Sequence, residues 1–122
     1  MKTVIVITLT LLFFTSTVFA MDIKRSDLAG TWYPGNKAEL TTLLESYLSS
    51  AKPDKIDGQV FAIISPHAGY QFSGPVAAYG FKAVQGKDIK TVIMVGFSHR
   101  KHFDGISVYS KGIWRTPLGE AI

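Results

Sequence analysis

Two short apolar segments separated by a helical stretch constrain the fold of this chain more than any other feature. Residues 60–64 and 91–95 are almost continuously apolar, which is typical of strands covered on both faces in a parallel sheet. Between them, Ser73 and Pro75 suit the start of a helix, and the apolar pattern continues to Gly86, a residue type that commonly follows a helix. A strand, a helix and a strand within about 35 residues make a βαβ unit, whose crossover is almost always right-handed. The sequence therefore predicts two parallel strands that end at the same edge of a sheet.

A histidine follows each of these segments. His67 comes shortly after the first segment, and His99 shortly after the second. Ligands of open α/β sheets bind outside the carboxyl ends of the strands, so both side chains are expected at one site. Imidazole is the commonest metal ligand, but a mononuclear site normally adds a third protein ligand. His102 and Asp104 are the nearby candidates, and the spacing alone leaves the metal site incomplete.

Other roles for this region stay open. A serine beside a histidine can support acyl transfer, and three serines flank the pair: Ser65, Ser73 and Ser98. The chain has no G-x-S-x-G turn, no phosphate-binding P-loop and no G-x-G-x-x-G fingerprint, which disfavours acyl transfer and nucleotide binding. Tyr70 can donate a proton or a hydrogen bond to a ligand, or simply pack. In the simplest interpretation both histidines are structural.

A further helix is predicted ahead of the first apolar segment. Asn36 is a typical N-cap, with Glu39 three residues later as in a capping box. The helix is predicted to end near residues 49–51, before Pro53. Its leucines repeat at helical spacing and are predicted to be core.

The remaining segments are predicted to be mostly irregular. Residues 21–35 contain several glycine and proline residues, although Trp32 and Tyr33 are large enough to be at least half buried. These two side chains either pack on the core as an N-terminal arm or form the aromatic wall of a ligand pocket. Later, residues 106–109 alternate as in a short strand, and residues 112–122 are predicted to be a loop.

Residues 1–20 have the layout of a secretory signal peptide. Lys2 supplies the positive start, residues 4–14 are nearly all apolar, and small residues stand where a signal peptidase cleaves. The apolar run is short for a membrane span of about 20 residues, which favours cleavage after Ala20 over a retained anchor. A start at Met21 is the third alternative. The prediction is an exported protein, periplasmic or extracellular, that is tethered to a membrane only if the leader stays uncleaved.

The charge of residues 21–122 argues against a nucleic-acid partner. Removing Lys2 with the leader leaves 12 of the 13 basic residues against 9 acidic ones, a net charge of +3. Lys24-Arg25 and Arg100-Lys101 are the adjacent basic pairs, and no basic stripe connects them. Nucleic-acid binding normally needs such a stripe or patch.

Several motifs stand in a defined order along the chain. They are Leu28-Ala29-Gly30-Thr31-Trp32-Tyr33-Pro34, Ser65-Pro66-His67-Ala68-Gly69-Tyr70, Ser73-Gly74 with Ala77-Ala78, Gly96-Phe97-Ser98-His99 and Thr116-Pro117-Leu118-Gly119. In this order they resemble the MEMO family, whose bacterial and archaeal members are often called AmmeMemoRadiSam system protein B. The resemblance runs from about Arg25 to the end of the chain.

The resemblance implies a fold and a metal site. The family fold is α/β, a three-layer α/β/α sandwich with a largely parallel central sheet, similar to class III extradiol dioxygenases. Residues 21–122 would form its N-terminal part, because family domains are more than twice as long. In those dioxygenases two histidines and a carboxylate hold Fe(II). The histidines of the MEMO family match His67 and His99, and a further ligand, often cysteine, comes from far downstream, beyond residue 122.

Two functional hypotheses follow. In the first, the chain is part of a dioxygenase-like protein that binds iron or copper through His67 and His99, with Tyr70 or a downstream histidine near the substrate. Such a part is expected to be inactive alone, and the resemblance suggests radical-SAM and AMMECR1-type proteins as partners. In the second, it is a non-catalytic module that binds a peptide or small molecule in the same pocket, lined by Trp32, Tyr33 and Tyr70.

Overall fold

The described part of the chain folds as an α/β protein with two helices and one small sheet. The computed structural model describes residues 22–121. Its elements, in chain order, are β1 (Ile23–Arg25), α1 (Lys37–Ser50), α2 (Tyr70–Val84), β2 (Ile113–Thr116) and β3 (Gly119–Ala121). The sheet order is β1-β2-β3, with β1 parallel to β2 and β2 antiparallel to β3. The α/β class predicted from the sequence is confirmed.

The leader predicted at residues 1–20 lies outside the described residues. Within residues 22–121, neither helix combines the length and the apolar character needed to cross a bilayer.

Helix α1 forms where its sequence predicts. Asn36 has extended backbone angles, and its Oδ1 accepts hydrogen bonds from the N–H groups of Ala38 (2.8 Å) and Glu39 (3.3 Å). These bonds satisfy two of the amides that a helix start leaves free. The helix ends at Ser50, inside the predicted range, and the predicted core leucine Leu40 is buried, at 3 % exposure.

Helix α2 begins three residues before the predicted start at Ser73. The N–H of Tyr70 donates to the Trp32 carbonyl at 2.8 Å, which fixes the first helical residue against the N-terminal arm. The N–H of Ser73 already donates to the Gly69 carbonyl, so the first turn closes ahead of Pro75. Pro75 therefore lies inside the helix instead of in its first turn, and one helical hydrogen bond is lost there. The predicted end is confirmed, because α2 stops at Val84 and Gly86 follows with φ +77°.

The two helices pack together through small side chains. Ala78 of α2 is buried, and so is Ser73, whose hydroxyl donates to the Ala68 carbonyl at 2.9 Å. The Tyr47 ring of α1 lies directly against Gly74 of α2. A glycine at this contact lets the two helices approach closely.

The contact at Gly74 gives a test of this packing. A Cβ at Gly74 would overlap Cε2 of Tyr47 and lie 2.8 Å from its Cδ2, whereas a Cβ at Gly80 would lie an ordinary 3.6 Å from Ile63. We expect Gly74→Ala to lower the free energy of unfolding by about 1–2 kcal/mol, since overpacking outweighs the better helix propensity of alanine. Gly80→Ala, the matched control, should raise it by about 0.5–1 kcal/mol. Urea unfolding measures both, and a Gly74→Ala protein as stable as Gly80→Ala would contradict the packing.

The two apolar segments predicted as strands do not form strands. Within residues 22–121, no backbone hydrogen bond joins residues 60–64 to residues 91–95. Phe61 is 96 % exposed, and Ile63 is the side chain of its segment that lies against α2. A strand is defined by its pairing, and a continuous apolar run is stable as a strand only when both of its faces are covered. Here Phe61 and Ile64 are fully exposed and the segments do not pair, so the prediction of a βαβ unit is wrong for the described residues.

Near the end of the described residues, a hairpin forms where the sequence predicted a loop. Residues 106–109 form no strand, whereas residues 112–122, predicted to be a loop, contain the β2–β3 hairpin. Pro117 lies in its turn, and the Thr116 hydroxyl bonds both sides of that turn, accepting from the Leu118 N–H and donating to the Gly119 carbonyl. The turn residues were the hairpin signal that the sequence interpretation missed.

Candidate functional site

His67 and His99 come together although their predicted strands do not form. Their Nε2 atoms are 3.1 Å apart, and both side chains are exposed on the loops that follow the two apolar segments. The Phe97 ring contacts both imidazoles, with ring centroids 5.4 Å from His67 and 4.3 Å from His99. Sequence reasoning did not single out Phe97, and its place two residues before His99 was the available signal.

The distance between the two Nε2 atoms suits two arrangements. Neutral imidazoles can share one hydrogen bond when one Nε2 carries the proton and the other accepts it. Alternatively, two nitrogens that each bind one ion at about 2.0–2.1 Å lie about 2.9–3.4 Å apart in tetrahedral or octahedral sites. The observed 3.1 Å falls inside that range. The spacing therefore fits both a shared hydrogen bond and two neighbouring ligands of one metal ion.

The nearby third-ligand candidates do not join this pair. His102 and Asp104 face each other, with 3.9 Å between Nε2 and Oδ1, and both are fully exposed. Across residues 22–121, no group of three histidine, cysteine, aspartate or glutamate side chains is arranged to hold a metal. The described residues thus bring two candidate imidazole ligands together, without a carboxylate beside them.

Tyr70 lies in the first turn of α2 and is half buried. Its ring packs on that of Tyr33 with centroids 4.8 Å apart. Burial raises the pKa of the Tyr70 phenol above its ordinary value of 10.0, and the neighbouring Tyr33 adds to the rise. The phenol is therefore protonated at neutral pH and available as a hydrogen-bond donor.

Tyr70 lines two hollows of the structure. One is a mainly apolar cavity of about 610 Å³ that Tyr70 shares with His67 and with Tyr47 and Phe81 from the helices. The other, of about 330 Å³, is bounded by the aromatic arm: Trp32, Tyr33 and again Tyr70. Trp32 and Tyr33 thus lie at the second hollow and not at the cavity of His67, whereas Tyr70 lines both.

A family profile described as Memo-like protein matches residues 24–122. The chain belongs to the Memo-like protein family. The match includes both histidines and the aromatic arm, and it confirms the resemblance found in the sequence motifs.

Curated members of the Memo-like family cover most of the chain. The protein memo-1 homolog of Caenorhabditis elegans is 38% identical over 104 residues, which are 85% of this chain and 29% of the relative. A MEMO1 family protein of Thermoplasma volcanium is 34% identical over 100 residues, or 82% of this chain and 36% of the relative. One from Methanococcus maripaludis is 40% identical over 109 residues, with 80% and 38% covered. The chain thus spans about a third of the length of these Memo-like relatives.

The raised pKa of Tyr70 predicts how stability responds to alkali. The folded protein holds this proton more tightly than the unfolded chain, so its contribution to stability is complete below a pH of 10.0 and is lost as pH rises through the folded pKa. We expect Tyr70→Phe to remove this part of the alkaline loss of stability in urea unfolding measured from about pH 8 to pH 11. Tyr79→Phe, an exposed tyrosine on the same helix, is the control. The same pH dependence in both variants would contradict the assignment.

Proposed function

We propose that this Memo-like protein is a dioxygenase-like metal-binding protein in which His67 and His99 hold iron or copper. The observation that carries the proposal is the 3.1 Å separation of their Nε2 atoms. Imidazole suits both metals, and exposed loops leave the pair open to an incoming ion. A catalytic centre normally has three protein ligands, of which the described residues supply two.

The residues around His67 and His99 have specific roles in this proposal. Each Nε2 that binds an ion must be unprotonated, so each ring carries its proton on Nδ1. The contacts of Phe97 with both rings restrict their rotation. Tyr70, protonated at neutral pH and facing the cavity of His67, donates a hydrogen bond to a substrate bound there. A bound iron or copper ion would supply redox chemistry with dioxygen.

The cellular location of the protein and its functional partners are also part of the proposal. The three-part leader in residues 1–20 supports export to the periplasm or the extracellular space. Family association supports radical-SAM and AMMECR1-type proteins as functional partners.

A second candidate function rests on the hollow of about 330 Å³ at the aromatic arm. Trp32 is 47 % exposed there and stands beside the packed rings of Tyr33 and Tyr70. Exposed aromatic side chains with a hydroxyl nearby suit a peptide or a small apolar molecule. A non-catalytic binding module of this kind keeps its ligand in metal-free buffer, whereas a metal-dependent oxygenase does not turn over without its ion.

The metal content of the purified protein tests the leading proposal. Protein prepared anaerobically and reconstituted with Fe(II) or copper is analysed by mass spectrometry after removal of free ions. We expect close to one ion per chain. Negligible metal after reconstitution with both ions would contradict the proposal and leave the aromatic hollow as the surface to pursue.

A further inference from the structure

A basic hollow adjoins the candidate metal centre on the side of His99. The loop from Gly96 to Gly105 lines an open surface hollow of about 560 Å³, and His99 is part of its wall. Arg100 and Lys101 also line it, and no acidic side chain is among its lining residues. A positively charged hollow thus shares a wall with the histidine pair.

Two carboxylates in the neighbourhood of this hollow, Asp104 and Asp27, each face a side chain other than Arg100 or Lys101. Asp104 faces His102, and Asp27 pairs with Lys24 at 2.6 Å. Lys24 is the main cause of the lowered pKa of Asp27, and Arg100 contributes through its charge. Among the described residues, neither Arg100 nor Lys101 forms an ion pair within 4.0 Å. Their charges are therefore available to a ligand.

The same loop supplies a neutral donor. Ser98 Oγ accepts a hydrogen bond from the Lys101 N–H at 3.1 Å and donates none to the residues of the described chain. Its O–H can therefore point to a ligand. A guanidinium fork, an ammonium group and a hydroxyl together match the oxygens of a carboxylate or a phosphate.

We propose that Ser98, Arg100 and Lys101 form an anion subsite that binds the carboxylate or phosphate group of the substrate. This inference rests on the proposed function, because His99 is what places the subsite next to the reacting centre. It narrows the substrate class to small molecules with an anionic group on the side of the 96–105 loop. A carboxylate and a phosphate share this oxyanion chemistry, and the experiment separates them.

The test is a titration of metal-free, 15N-labelled protein with inorganic phosphate and, separately, with acetate. We expect both anions to shift the amide signals of residues 98–102, with dissociation constants that rise with salt because the charges are exposed. The anion that binds more tightly identifies the favoured group. We expect Arg100→Gln with Lys101→Gln to raise the dissociation constant about tenfold. Lys87→Gln with Lys111→Gln, which removes the same charge elsewhere, should change it less than about twofold.

The outcomes test the anion subsite and the metal centre independently of each other. Circular dichroism checks the folding of each variant, and metal content is measured on reconstituted portions of the same preparations. Weaker anion binding in Arg100→Gln with Lys101→Gln at unchanged metal content supports the subsite. Equal anion affinity in the two double variants, or amide shifts outside the loop, overturns the subsite and leaves the metal centre standing. Absent metal with loop-specific, charge-dependent anion binding supports the subsite and overturns the proposed function.

Discussion

Replacing either His67 or His99 by alanine is expected to weaken iron or copper binding at least about 100-fold, and replacing both is expected to abolish it. Their Nε2 atoms, 3.1 Å apart, are the ligand nitrogens of the proposed metal site. Loss of a group that merely orients a ligand typically costs 10–100-fold in metal affinity, so loss of the ligand itself should cost at least as much. Competition titration against a chelator measures the single variants, and mass spectrometry measures the residual metal of the double variant.

His102→Ala is the matched control for these variants. His102 belongs to the same loop as His99 and is exposed like it, but it faces Asp104 instead of His67. We expect its removal to change metal affinity less than about twofold, as for an exposed group with a weak ion pair. Retention of metal by the double variant, or an equal loss in His102→Ala, would show that the pair is not the binding site.

Gly112→Ala is expected to lower the free energy of unfolding by about 2–4 kcal/mol. Gly112 has φ +120°, a conformation that side chains rarely adopt, and a Cβ there would overlap the Asp22 carbonyl oxygen and lie 2.7 Å from the Tyr109 hydroxyl. The same carbonyl accepts the Ile113 N–H at 2.8 Å, which is where β2 meets the chain ahead of β1. The substitution therefore separates the parallel pair β1–β2, and urea unfolding measures the loss.

Gly105→Ala is the control for Gly112→Ala, because it shows how much of the loss in unfolding free energy comes from the positive φ alone. Gly105 also has a positive φ, +92°, but no atom lies within 4 Å of the position of its Cβ. Its replacement should cost about 1 kcal/mol, the strain of the backbone conformation alone. Equal losses at Gly105 and Gly112 would mean that the Asp22 contact does not matter for stability.

Local signals in the sequence predicted the helices well and the sheet poorly. The Asn36 cap and the stop after Ser50 depend on neighbouring residues, so the bounds of α1 could be read directly. The start of α2 moved because the Trp32 carbonyl, far away in sequence, accepts the N–H of Tyr70. The parallel pair Ile23–Ile113 joins residues from nearly opposite ends of the described chain. The sequence pattern of either short strand does not indicate which strand it pairs with.

The candidate site was predictable in outline. The sequence predicted that His67 and His99 meet, and their Nε2 atoms are 3.1 Å apart, although the paired strands from which this was argued do not form. The role of Tyr70 as a link between two hollows depends on the packing of α2 against the aromatic arm, which the sequence could not show. The basic hollow depends on how the loop after His99 folds back on itself, and the sequence showed only that Arg100 and Lys101 are adjacent.

The number of imidazole rings coordinated to a bound metal ion tests directly whether His67 and His99 bind it together. The protein is loaded with one equivalent of Cu(II), and electron spin echo envelope modulation detects the remote nitrogens of coordinated imidazole rings. We expect two coordinated imidazoles in the wild-type protein, one in His67→Ala and one in His99→Ala. Fewer than two in the wild type, or two that persist in His67→Ala, would contradict the claim that His67 and His99 together hold the metal.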